Sequence, residues 1–177
     1  GSCVDLRVQY TRLRLVVVAV IMSVLIGLAT VRALNQHQHY AELGENQQEL
    51  LHGIVEQVPG LKADAPLIVV DETGRYYDNW SLGTGFLLTY AVRFVYSDYS
   101  MDAILCSFDT ETQQFADLPE QHELCSFSPT GVTQTIGGEV AARYAYNEIV
   151  LIRYNDNGAE LLRQVPPAYL QTEPEQG

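Results

Sequence analysis

Hydrophobic and polar positions alternate along this chain in several rhythms, and each rhythm predicts a different kind of element. Leu15 to Val31 (LVVVAVIMSVLIGLATV) carries no charge at all. At ~1.5 Å of rise per residue, a helix of that length covers about 25 Å, the short end of what a bilayer's ~30 Å apolar core requires. The aliphatic stems of Arg12, Arg14 and Arg32 can reach outward past the core, so Leu13 to Leu34 is predicted as a membrane span in contact with lipid. Leu34 stands where a cleavable signal would need a small residue, which favours a retained span over a signal peptide.

Beyond the span, Leu43, Leu50, Leu51, Ile54, Val55 and Val58 recur at helical spacing and Pro59-Gly60 ends the run, which predicts a juxtamembrane helix over 35–60. Pro66 to Asp71 is nearly continuous in apolar residues, as suits a strand covered on both faces. Glu72 to Gly85 reads as a loop. From Phe86 to Tyr99 the spacing is helical again, with Thr84 as the N-cap. Asp102 to Asp109 follows as a second strand, parallel to the first if the intervening helix is a crossover.

Thr110 to Glu123 is polar and irregular, Leu124 to Phe127 is a short apolar segment, and Ser128 to Gly138 reads as loop. Glu148 to Tyr154 and Glu160 to Val165 flank Asn155-Asp156-Asn157-Gly158, whose Asn-Gly step predicts a tight β-hairpin. Gln171 to Gly177 is read as a disordered tail. The expected fold class is therefore α/β of the α+β kind. A segment 1–12 leads into the span over 13–34 and the helix over 35–60, and one domain over 61–170 holds a short mixed sheet, with two helices in all outside the span and a C-terminal hairpin.

Charge adds an orientation. Arg7, Arg12 and Arg14 precede the span and Arg32 alone follows it closely, so the positive-inside rule puts the N-terminus in the cytoplasm and the rest outside the plasma (inner) membrane. From Asn35 onward 6 basic residues face 21 acidic ones, a net of −15. Such a surface repels phosphate backbones, which argues against nucleic acid as a partner. Across all 177 residues, 47% hydrophobic content with 10% aromatics is that of a folded chain. The chain opens Gly-Ser-Cys without an initiating Met, as an expression scar or a fragment of a longer polypeptide would; Cys3 reads as a free thiol, with reversible acylation of a juxtamembrane cysteine as the other reading.

Outside the membrane, Cys106 and Cys125, each in a Leu-Cys-Ser-Phe stretch, read as a disulfide staple, with two buried thiols as the alternative. A zinc site lacks a second close pair of ligands. His37 and His39, two apart on a helix, point to different faces and cannot converge on a metal. Gly83-Thr84-Gly85 lacks the third glycine of a dinucleotide fingerprint, because Leu88 stands at that position. No metal and no cofactor is expected, and no catalytic residue can be assigned. Asp71, at the carboxyl end of a parallel strand, together with Tyr76, Tyr77 and Trp80, forms a candidate ligand-contacting loop; a plain surface loop is the other reading. Asn79-Trp80-Ser81 matches a glycosylation sequon.

The order of a membrane helix, a Gln/Glu-rich helix ending in VPGLKADAPLIVVDE, a helix ending in VRFVYSD and a closing EIVLIRYNDNGAELLRQV hairpin resembles the extracytoplasmic C-terminal tail of large polytopic bacterial membrane proteins. Some of these are similar to membrane-embedded glycosyltransferases that use polyprenyl-linked sugars. The resemblance covers Leu13 to about Pro166, and no catalytic residue of those enzymes has a counterpart here. It implies an accessory tail packed on other transmembrane segments or on envelope glycans. Two functions are thus expected: a membrane-anchored binding or structural module, or part of an envelope glycosyltransferase with Asp71 to Trp80 near the acceptor sugar.

Overall fold

The computed structural model describes residues 2–61, 65–76, 86–117 and 123–170, with side chains from 14 onward except those of 15 and 86. The chain divides into two compact units, Gly1–Glu42 and Leu43–Gly177. The predicted span and the predicted juxtamembrane helix belong to one α-helix, α1 (Ser2–Gln57). No proline interrupts that stretch, and isolated glycines such as Gly44 cost about 1 kcal/mol each, too little to end a helix this long.

In the first unit, consecutive residues Val16, Val17 and Val18 are all exposed, and so are Ile21, Leu25 and Leu28. Consecutive positions point to different faces, so the stretch 16–31 is apolar on every side and exposed, the pattern of a segment suited to lipid. It is long and apolar enough to cross a membrane. Its hydroxyls fit that solvent: Ser23 donates to the Ala19 carbonyl and Thr30 to the Ile26 carbonyl, each at 2.8 Å. Such bonds satisfy each hydroxyl hydrogen within the helix itself.

The second unit contains, in chain order, β1 (Leu67–Asp71), α2 (Phe86–Tyr96), β2 (Ala103–Asp109), β3 (Gln114–Phe115), β4 (Glu123–Ser128), β5 (Gly131–Ile136), β6 (Glu139–Ala145), β7 (Val150–Asn155) and β8 (Gly158–Leu161). Five of the strands form a mixed sheet in the order β3-β2-β1-β7-β8, and β4-β5-β6 form a second, antiparallel sheet. β1 is central and pairs in parallel with both β2 and β7, as its apolar run predicts. The C-terminal hairpin is also present, with Asn155 opposite Gly158. Gly158 has φ +99°, a backbone region that glycine enters without strain.

Strand side chains alternate between faces, so β1 feeds two cores. Leu67 and Val69 pack with Leu50 and Ile54 of α1, Leu88 and Val92 of α2, and Ile152 of β7. Ile68 and Val70 pack on the other side with Cys106, Phe108, Phe127, Val132 and Tyr169. Every residue of β1 is buried, and each large apolar side chain contributes roughly 1.5–3 kcal/mol. Both faces of the sheet are therefore covered, one by helices and the other by the second sheet.

The second sheet corrects the expectation of a loop over Ser128 to Gly138. Ser128 opens a turn by accepting from the backbone N–H groups of Thr130 and Gly131 (both 3.3 Å). Gly137 and Gly138 both adopt positive φ between the paired residues Ile136 and Glu139, which makes a two-residue hairpin turn. The polar residues between these turns pair along the strand edge while Val132 alone enters the core. The irregular segment Thr110 to Glu123 likewise holds β3, which seats Phe115 against Phe127 with ring centroids 4.7 Å apart. The tail over 171–177 lies outside the described residues.

Candidate functional site

At the carboxyl end of β1 the backbone turns away from the sheet, and Asp71 makes that turn. Its Oδ1 accepts from the Thr73 N–H (2.8 Å) and hydroxyl (2.6 Å), and Oδ2 accepts from the Tyr76 N–H at 3.4 Å. The side chain is fully buried, and burial raises its pKa above the ordinary value while the bonds from Thr73 and Tyr76 and the nearby Arg75 pull it back. The carboxylate that was to face a ligand is thus engaged by its own loop.

Tyr76 is also enclosed, at 1% exposure. Its hydroxyl donates to the Asn46 carbonyl of α1 at 2.7 Å, and its ring meets Tyr154 edge-on at 5.6 Å. This ring fastens the loop to the helix and offers no face for a sugar to stack on. Tyr77 and Trp80 lie outside the described residues, as do the glycosylation sequon, Thr84 and the Gly83 to Gly85 turn. Of the four residues proposed for the ligand-contacting loop, the structure brings together Asp71 and Tyr76, and it gives both a structural task.

A cleft of about 490 Å³ does open beyond the carboxyl ends of β1 and β2, where a parallel sheet places its crevice. Glu72, Thr73, Ser107 and Asp109 are on its walls. Glu72 accepts from the Tyr169 hydroxyl at 2.6 Å, and burial beside that carboxylate raises the tyrosine's pKa. Asp109 accepts from the Thr112 side chain and from the N–H groups of Glu111 and Thr112, and these bonds, the side-chain one foremost, lower its pKa. Among the described residues there is no group of three or more His, Cys, Asp or Glu that could hold a metal ion.

The cysteine pair forms as predicted. Cys106 of β2 and Cys125 of β4 lie with sulfurs 2.02 Å apart and Cα atoms 5.7 Å apart, and both are buried. The bond ties the five-stranded sheet to the three-stranded one. Around it, Phe108, Phe115, Phe127 and Tyr169 form an aromatic cluster with ring centroids 4.7–5.7 Å apart.

Sequence reasoning missed Glu123. It is 2% exposed, on the same face of β4 as Cys125 and Phe127. Its Oε1 accepts from Gln134 Nε2 at 2.5 Å, and among the described residues Oε2 has no hydrogen-bond partner. Burial raises its pKa and the Gln134 bond opposes that rise. The signal was the alternation in Glu-Leu-Cys-Ser-Phe, which puts the acid in phase with the buried cysteine and phenylalanine. Comparison with protein-family models, with curated proteins and with solved structures returned no match.

Proposed function

We propose that this chain is a membrane-anchored module whose C-terminal domain lies outside the plasma membrane, binding or bracing neighbouring components without chemistry of its own. The observation that carries the reading is the Cys106–Cys125 disulfide, on the C-terminal side of the apolar helix. Disulfides of this kind persist in oxidising compartments and are rare in the cytosol. Arg7, Arg12 and Arg14 before the apolar run support the same sidedness, and so does the net charge of −15 after it, which suits a domain held clear of anionic lipid. The engagement of Asp71 by its own turn supports a structural part for that carboxylate over a catalytic one. The glycosyltransferase reading has the resemblance behind it, but Tyr76, one of the three rings it needs against a sugar, is buried.

The test is labelling of intact cells with a membrane-impermeant maleimide. Asn157→Cys, in the exposed hairpin turn, is expected to react before lysis, whereas native Cys3 reacts only after it. The reverse order would place the domain in the cytoplasm and overturn the proposal.

A further inference from the structure

A cavity of about 420 Å³ opens beside the C-terminal hairpin, a size within the range of small-molecule sites. Its walls are apolar: Tyr146 and Ile149 from the connection between β6 and β7, Leu151 of β7, and Leu162 and Val165 beyond β8. Leu151 is 5% exposed, and the other four pack against the core that surrounds the disulfide. Leu170, also on the wall, is 38% exposed, so the cavity opens to solvent there. Water in such a recess leaves the apolar walls without the contacts that a hydrocarbon would supply.

The polar groups of the lining are few. The Tyr146 hydroxyl is spent on the Ser128 carbonyl, to which it donates at 2.6 Å. The Gln164 amide and the peptide groups of the segment from Leu162 to Val165 hold donors and acceptors alike, and so favour neither sign of charge. Arg163 is the one charged side chain, and no carboxylate joins it among the described residues of the lining. That balance runs against the rest of the chain beyond Asn35, where 21 acidic residues face 6 basic ones. Elsewhere in the domain Arg75, Arg93 and Arg153 each pair with a carboxylate; Arg163 is exposed and forms no ion pair among the described residues.

Charge and shape together select the ligand. A cation would be repelled by Arg163. A neutral chain would fill the walls and leave the guanidinium to water. A phosphate monoester carries about two charges, too many for one guanidinium in a domain whose net field is negative. A carboxylate carries one charge and matches a guanidinium through two parallel N–H···O bonds.

We infer that this cavity binds a small carboxylate with an unbranched apolar body, the carboxylate on Arg163 and the hydrocarbon against Ile149, Leu151 and Leu162. The assignment rests on the reading of the domain as a binding module but not on the side of the membrane it occupies. Maleimide labelling in the reverse order would sink the sidedness and leave the site standing; failure to bind a carboxylate would do the opposite.

The full chain in lipid nanodiscs, labelled with ¹³C at isoleucine methyls, is titrated at neutral pH with sodium hexanoate and, separately, with hexanamide and with sodium propionate. Ile149 on the cavity wall is expected to shift saturably, while Ile54 in the helix-side core stays still. Hexanoate is expected to bind at least about tenfold more tightly than the neutral amide, the effect of one charge-assisted pair. Propionate is expected to bind at least about tenfold more weakly than hexanoate, because each buried methylene is worth about fourfold. Arg163→Gln removes the charge at an exposed position, where packing is not at stake, and is expected to bring hexanoate down to the level of the amide. No saturable shift at millimolar hexanoate, equal binding of acid and amide, equal binding of hexanoate and propionate, or unchanged hexanoate affinity in Arg163→Gln would each overturn the assignment. So would binding that appears only after residues 171–177 are deleted, since the acidic segment that follows Leu170 would then be the occupant.

Discussion

Replacing both Cys106 and Cys125 with alanine removes the bond between the two sheets and leaves their strand pairing intact. The bridged residues are 19 apart in sequence, and closing a loop of that size in the unfolded chain removes entropy equivalent to about 3 kcal/mol at 25 °C. Both positions are buried, and alanine introduces no polar group there, so the loss of the cross-link dominates. With a urea m-value of roughly 2 kcal/mol/M for a domain of this size, the midpoint should fall by about 1.5 M. Urea unfolding of the full chain, followed by the near-ultraviolet dichroism of its tyrosines, measures that midpoint. A cross-link is present or absent as a whole, so each single variant should lose nearly as much as the double one. Single losses that add up to the double loss would mean that the two side chains stabilise by packing and that the cross-link reasoning is wrong. A double variant within about 0.5 kcal/mol of the wild type would dispose of the staple altogether.

Three further outcomes follow from the cores and the turns. Glu123 has its pKa raised by burial above the ordinary 4.5, so the folded state holds this proton more tightly than the unfolded state does. The stability it contributes is full below 4.5 and is lost as pH rises through the folded value. Glu123→Gln should therefore gain on the wild type in urea midpoints as pH is raised from about 4 to about 7, and parallel curves would contradict this. A Cβ on Gly131 would lie 2.1 Å from the Tyr144 carbonyl oxygen, so Gly131→Ala should destabilise by more than about 2 kcal/mol, with exchange of the β5 and β6 amides as the readout. Leu50 of α1 is fully buried in the helix-side core. Leu50→Ala should cost about 2–5 kcal/mol, and a cost near zero would remove the end of α1 from that core.

The elements legible in the sequence were those whose periodicity agrees with their burial. β1 is apolar up to Asp71 because it is covered on both faces, and the C-terminal hairpin announces itself through Asn157-Gly158. The parallel pairing of β1 with β2 followed from the helix between them. The long apolar helix followed from its unbroken apolar run, and the disulfide was read from the oxidising compartment that a span there would imply. What escaped was the β4-β5-β6 sheet. β5 contains a single core residue, Val132, and β6 is largely exposed, so neither shows a hydrophobic rhythm. Their turns were visible as glycines, but a Gly-Gly pair joins strands only when both flanks are strands, and polar flanks such as Thr133 to Thr135 did not declare themselves. Asp71 stands at the carboxyl end of a parallel strand, where the sequence put it. The burial of Asp71 and Tyr76 was not legible, because it depends on Asn46 and Tyr154, partners distant in sequence.

The position of β1 governs the order in which this domain can assemble as it emerges from its N-terminus. One edge of β1 is met by β2, which follows soon after it, but the other is met only by β7, with Leu67 opposite Val150. Until the last strands arrive, the most apolar strand of the domain presents an unpaired edge, open to pairing with another chain. Cys106 and Cys125 both precede β7, so the two halves of the aromatic core can be joined covalently while that edge still waits. Synthesis of the final hairpin is then the event that closes the sheet, and a chain truncated before Val150 is left with a sticky central strand instead of a smaller domain.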